Sequence, residues 1–202
     1  MSQSNPSDLE PLNRTQILGV TGVTAIILLF ISKLFLLLPR LLPDWGPISL
    51  LPVKFNTQAC LYGAALAVLI IVASGVIYRL WPAYRESADA YLAFVIEPLV
   101  WPDLIWLGLL PGLSEELLFR GVILAALGLG GIAVVVSSCI FGVLHLSNAQ
   151  QWPYVIWATT VGLALGFSAI TTGNLLVPII AHVLTNLVSS ALWKYNHQAK
   201  VS

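Results

Sequence analysis

Residues 109–124 read LLPGLSEELLFRGVIL, placing Glu115, Glu116 and Arg120 in a run that is otherwise almost wholly apolar. The surrounding chain of 202 residues is 58% hydrophobic and only 9% charged, with a mean hydropathy of +0.90. Soluble domains carry about 25% charged residues. The stretch is therefore read as part of a membrane helix. Several other runs reach the roughly 20 apolar residues that a helix needs to cross a bilayer. The fold class that follows is all-α: a polytopic membrane helix bundle of about six transmembrane helices plus a re-entrant or interfacial helix.

Working outward, the quoted stretch belongs to a span from about Leu104 to Gly128. Pro111 and Gly112 inside it are tolerated in a membrane only where neighbours or water satisfy the freed backbone groups. The expectation is a helix that restarts at Ser114, with the glutamates near its N-terminus, where the helix dipole favours negative charge. Downstream spans are expected at Ile132–Leu146, Tyr154–Ile170 and Leu175–Trp193. Upstream ones are expected at Ala59–Leu80 and Ile17–Leu38, the latter interrupted only by Lys33, which can snorkel. Between them, residues 81–103 read WPAYRESADAYLAFVIEPLVWPD; the front is polar, and residues 92–101 form an interfacial or re-entrant piece.

The organisation expected is a disordered tail at 1–15, one integral-membrane domain at 16–195 and a C-terminal tail at 196–202. Aromatic residues near the span ends (Trp45, Tyr78, Trp81, Trp101, Trp152, Tyr154, Trp193, Tyr195) fit an interfacial belt. Six spans put both termini on one side together with Arg14, Arg79, Arg85, Lys194 and Lys200, against Arg40 and Lys54 opposite, which favours cytoplasmic termini. Net charge is zero, so bulk electrostatics give no reason to expect nucleic acid as a partner. Cys60 and Cys139 both fall inside spans and read as buried free thiols.

An unpaired charge at a membrane helix centre costs about 2.5–3.5 kcal/mol on insertion scales, so three would cost on the order of 8–10 kcal/mol. Glu116 and Arg120 are four apart and can pair on one face. Glu115 is turned about 100° away and needs a polar cavity, a partner on another helix, or a proton. Candidate partners stand in FGVLH, which places His145 four residues after Phe141, and in HVLTN, which places His182 and Asn186 on one helix face. Convergence of these groups on one wet pocket is the expectation. A carboxylate beside an imidazole can deprotonate a water, and a second histidine with an amide can steady a developing oxyanion. Two histidines and a carboxylate (Glu115, His145, His182) are also a common zinc ligand set, so a metal-bound and a metal-free water both stay open.

The motifs EExxxR (115–120), FxxxH (141–145) and HxxxN (182–186), in this order on successive hydrophobic segments, resemble those of the CPBP family of intramembrane proteases. That family includes the type II CAAX prenyl endopeptidases and bacteriocin-immunity proteins. The resemblance covers about residues 103–195. It implies that Glu115 and His145 activate the attacking water, that His182 and Asn186 hold the oxyanion, and that Glu116 and Arg120 support the site. Phe141 is most simply core packing. The substrate implied is a membrane protein or lipidated peptide.

Rival readings are weaker. GFSA at 166–169, with His182 on the next span, is similar to the serine motif of rhomboid proteases but lacks its last glycine and leaves Glu115 unexplained. A transporter or proton relay would spread polar groups through several spans, whereas here they cluster in three motifs. A non-catalytic partner of other membrane proteins on the same fold is a third reading. Pro178 reads as a first-turn proline or a kink.

Overall fold

The computed structural model describes residues 12–42 and 48–198. Seven helices are described: α1 (Arg14–Leu41), α2 (Thr57–Leu80), α3 (Pro82–Ile96), α4 (Trp101–Ala126), α5 (Gly131–Val143), α6 (Trp152–Thr172) and α7 (Leu176–Gln198). The protein is an all-α bundle of the polytopic membrane kind. Four helices (α1, α2, α6 with its leading turn, and α7) are long and apolar enough to cross a membrane, and the bent pair α3–α4 brings the number to five when counted as one broken span. With 13 residues, α5 is only about 20 Å long, shorter than a hydrocarbon core. The expected fourth span thus stops early, at Val143.

Local sequence explains the boundaries. Asn13 and Gln16 form a reciprocal capping box, each side chain accepting the other's backbone N–H (3.0 and 2.8 Å). That starts α1 at Arg14, so residues 14 and 15 are helical and not part of a tail. At the other end α7 continues through His197, which stacks on Trp193 at 3.9 Å, so the expected tail begins later than 196. The rest of both tails, Trp45 and Lys200 lie outside the described residues. Gly173 ends α6 with φ +59°, a left-handed position that suits glycine. The Asn174 side chain then accepts the backbone N–H of Leu176 and of Lys54 and donates to the Lys54 carbonyl, fixing the segment before α2 to the start of α7. Pro178 falls in the first turn of α7, where its missing N–H removes no intrahelical bond.

The helices pack through small residues, the usual device where lipid is as apolar as the helix faces. Gly108 and Gly112, one turn apart on α4, lie against α7; a Cβ at Gly112 would stand 2.5 Å from Val183 Cγ2 and 3.0 Å from its backbone N. Gly162 and Gly166 on α6 do the same for α5, against Ser138 and Val134. Gly63 seats α2 on Val177 and Ile180 of α7. α7 is therefore in close contact with both α2 and α4.

Three expectations are corrected here. The helix does not restart at Ser114: α4 runs through Pro111, and Ser114 Oγ donates to the Leu110 carbonyl within it (2.7 Å). The glutamates lie mid-helix, immediately before a π-helical stretch, Leu117–Ile123. Cys60 and Cys139 are free thiols but exposed, because the outer surface of a membrane bundle faces lipid and can be as apolar as its core. Finally, the polar front of residues 81–103 is helical as well; α3 is one helix that meets α4 at a bend of 106°.

One end of the bundle is tied by polar contacts. Arg14 makes a two-pronged bond to Asp103 (2.7 and 2.8 Å), joining the start of α1 to the start of α4. Asp89 of α3 accepts from Tyr78 of α2 and Trp193 of α7. Buried Lys194 donates to the Leu99 carbonyl. These contacts place the first residue of α1 and the last turns of α2 and α7 at the same end.

Candidate active site

Three helices supply the charged and imidazole groups. α4 carries Glu115, Glu116 and Arg120; the turn after α5 carries His145; α7 carries His182 and Asn186. Glu115, Phe141, His145, His182 and Asn186 all line one cavity of about 170 Å³. Glu116 and Arg120 stand behind it, their side chains 0% and 1% exposed.

The buried charges pair through one oxygen of Glu116, Oε1, while its Oε2 is buried with no hydrogen-bond partner among the described residues. Arg120 Nη1 donates to Glu116 Oε1 (2.7 Å), and Nη2 donates to the Gly162 carbonyl (3.0 Å). The guanidinium also lies over the Phe141 ring, 4.5 Å from its centroid. The i, i+4 pair expected from sequence is thus present, and glycine at 162 lets the α6 backbone come within reach of Arg120. Ser137 Oγ of α5 donates to the Phe119 carbonyl in the π-helical stretch (3.0 Å). Such stretches recur at functional sites.

Glu116 has a second role that the sequence does not signal. Its Oε1 also accepts from His182 Nδ1 at 2.7 Å, across 66 residues of chain. A carboxylate paired to Arg120 can only accept here, so the Nδ1 proton of His182 is fixed and Nε2 turns toward Glu115, 3.8 Å from its Oε2. That gap is too long for a direct hydrogen bond. Glu115 Oε2 is buried with no hydrogen-bond partner among the described residues.

His145 is fixed by its own helix. Its Nδ1 lies 2.8 Å from the Phe141 carbonyl, which can only accept; Nδ1 therefore carries a proton, and in the neutral ring Nε2 is the acceptor. Phe141 is more than general core. Its ring meets His145 (4.7 Å), His182 (5.9 Å, edge-on) and Arg120, and so spaces the two imidazoles. Asn186, one turn along α7 from His182, also lines the cavity.

The residue types of the expected metal set, Glu115, His145 and His182, share the cavity. Among the described residues, however, no three His, Cys, Asp or Glu side chains are gathered closely enough to hold a metal ion. Ser168 of the rival serine reading donates to the Leu165 carbonyl inside α6 and is not among the residues lining the cavity.

Apart from Phe141, the aromatic residues of the cavity were not among the sequence-derived candidates. Tyr91 stacks on Tyr154 (4.6 Å), Tyr84 lies parallel to Tyr154 (6.4 Å), and Trp157 meets Tyr84 (5.8 Å). Tyr154 belongs to this wall, near His145 (6.2 Å), and not to the interfacial belt expected for it. Tyr84 and Tyr91 stand seven apart on α3, hence on one face; that spacing is the signal that could have found them.

The family described as type II CAAX prenyl endopeptidase Rce1-like matches residues 96–188, which span Glu115 through Asn186. The chain is similar to the uncharacterized protein YpbD of Bacillus subtilis (strain 168), 30% identical over 136 residues, covering 67% of this chain and 69% of that protein. It is also similar to an uncharacterized protein of Mycoplasma capricolum, 34% identical over 83 residues, which is 40% of this chain and 24% of that protein. No solved structure matches. With its three motifs meeting at one cavity inside a helical membrane bundle, the chain belongs to the Rce1-like family of type II CAAX prenyl endopeptidases.

Proposed function

We propose that the protein is an intramembrane endopeptidase that hydrolyses peptide bonds of membrane-associated substrates with an activated water. The observation that carries this reading is the pair of acceptors at the cavity: the Glu115 carboxylate and the Nε2 of a neutral His145, whose other nitrogen is held by the Phe141 carbonyl. Two acceptors take both protons of one water and leave its lone pairs free to attack. Glu115 removes a proton as the water oxygen bonds to the substrate carbonyl carbon. The oxyanion that forms takes donors from Asn186 and from Nε2–H of a His182 that carries both ring protons from the outset, one bonded to Glu116, and keeps them throughout the step. When the intermediate collapses, the C–N bond breaks and Glu115 returns its proton to the leaving nitrogen. Water, substrate and proton are then balanced without another reactant.

Glu116 positions His182, and Arg120 holds Glu116 in place. Substrates reach the site as membrane proteins or lipidated peptides, and both termini lie on the cytoplasmic side, where Arg79 and Arg85 also sit. The test is a comparison of the N- and C-terminal peptides of membrane fractions holding the wild type or Glu115→Gln, with and without a chelator. Precursors that accumulate only with Glu115→Gln support the reading; identical peptide sets overturn it. Loss of cleavage on chelation, restored by zinc, would replace the metal-free water with a metal-bound one.

A further inference from the structure

We propose that Ser189 and Ser190 continue the oxyanion site along α7 and bind the substrate's main chain in an extended conformation, Ser190 donating to the carbonyl two residues away from the one attacked. This rests on the endopeptidase reading and adds to it two residues that select the conformation of the cleaved segment.

The first observation is an unmet bond. A hydroxyl inside a helix can satisfy itself on the carbonyl one turn back. Thr21, Ser32, Ser114 and Thr160 all do so here, at 2.7–2.9 Å. Ser189 and Ser190 do not. Both line the cavity, and neither hydroxyl makes a hydrogen bond among the described residues, although Ser190 is only 6% exposed. A polar group so buried is costly to leave unpaired. Thr185 Oγ1, on the same wall, is also buried without a partner. Ser87 and Ser138 share that state but lie off the cavity, where no substrate could reach them.

The second observation is spacing. His182, Asn186 and Ser190 stand four residues apart in turn, all line the cavity, and so form one row on α7. Such a row rises about 6 Å per step. In an extended chain the carbonyls of alternate residues point the same way, about 6.6–6.8 Å apart. The two repeats agree over one step. With the attacked carbonyl held by His182 and Asn186, the next carbonyl on that edge comes level with Ser190, and Ser189 flanks it. A helical segment offers no such pair, because its carbonyls are already bonded along its own axis. The row therefore takes a segment that is unwound on at least one side of the cleaved bond.

The experiment uses the full-length protein in lipid nanodiscs as wild type, Glu115→Gln, Ser189→Ala, Ser190→Ala and Ser87→Ala. The probe is a synthetic peptide copied from the most abundant Glu115-dependent cleavage site in the membrane fractions. Two further peptides carry an alkene in place of the peptide bond whose carbonyl lies two residues before, or two residues after, the attacked one. Each cavity serine variant should raise KM about two- to tenfold, the effect of one hydrogen bond, with kcat nearly unchanged and the wild-type melting temperature. Ser87→Ala should match the wild type in both constants. One of the two alkene peptides should show the same rise in KM with the wild type, and combining it with Ser190→Ala should add little, since the same bond is already gone. A wild-type KM for Ser190→Ala, or losses from variant and alkene that simply multiply for both peptides, would overturn the inference while leaving the endopeptidase standing. Absence of any Glu115-dependent site overturns both.

Discussion

Glu115 and Glu116 are sequence neighbours with opposite burdens. Glu116 is fully buried and holds Arg120 and His182 with one oxygen, so removing its charge leaves a guanidinium in the core with only the Gly162 carbonyl and an aromatic face. Breaking one side of a buried ion pair typically costs about 3–5 kcal/mol, whereas replacing both partners by apolar groups is often near neutral. Glu116→Gln is thus expected to lose about 3–5 kcal/mol in denaturant titration of the micelle-bound protein, and Glu116→Leu combined with Arg120→Met to lose clearly less. Equal losses would mean the pair does not act as one unit. Glu115 makes no protein hydrogen bond through its buried Oε2, so Glu115→Gln should leave the unfolding midpoint unchanged. Cleavage should nevertheless fall by about 10²–10⁴, the usual contribution of a general base. A variant that unfolds and loses activity together would assign Glu115 a structural role instead.

At the scale of elements, the α4–α7 seam sets the distance between Glu115 and His182. Gly112 on α4 leaves no room for a methyl group beside Val183, which immediately follows His182. Gly112→Ala is expected to cost about 1–3 kcal/mol by overpacking and to lower activity by widening the seam. Gly22→Ala on α1, where nothing lies within 4 Å of the added carbon, should be neutral or stabilising by about 0.5–1 kcal/mol, since glycine weakens a helix interior. Matching thermal melts for the two variants would contradict the packing. Sequence reading did less well with these elements than with the residues on them. Proline and glycine at 111–112 suggest a break, but α4 continues through them because α7 packs against the small face they leave. A π-helical turn has no composition of its own, so the widening at Leu117–Ile123 was not legible at all.

For the whole molecule, the class of fold follows from composition, since a chain with so little charge and so many long apolar runs has few places other than a bilayer to fold. Legible too was the convergence of Glu115, His145, His182 and Asn186, because each lacks a local partner and lipid penalises that state. The Glu116–His182 contact was not, since Arg120 already explains Glu116 locally and nothing in one dimension announces a second partner. The aromatic wall was hidden for a related reason: a tyrosine near a helix end looks the same at a membrane surface as in a cavity. The ties at one end of the bundle, Arg14 to Asp103 and Lys194 to Leu99, predict that single cysteines placed at Leu12 and His197 react with an impermeant thiol reagent from the same membrane face. Labelling from opposite faces would break the topology.

The central claim, that α4, α5 and α7 bring their ionisable groups to one cavity, is tested most directly by cross-linking in the native membrane. Cys60 and Cys139 are first replaced by serine, and Glu115→Cys is then combined with His182→Cys, whose native side chains approach to 3.8 Å, or with Ser168→Cys, which is not on the cavity. A short bifunctional thiol reagent is expected to join the first pair in high yield and the second hardly at all. Failure of the 115–182 pair to cross-link, with a cysteine at 115 reacting instead with a lipid-phase probe, would contradict the account.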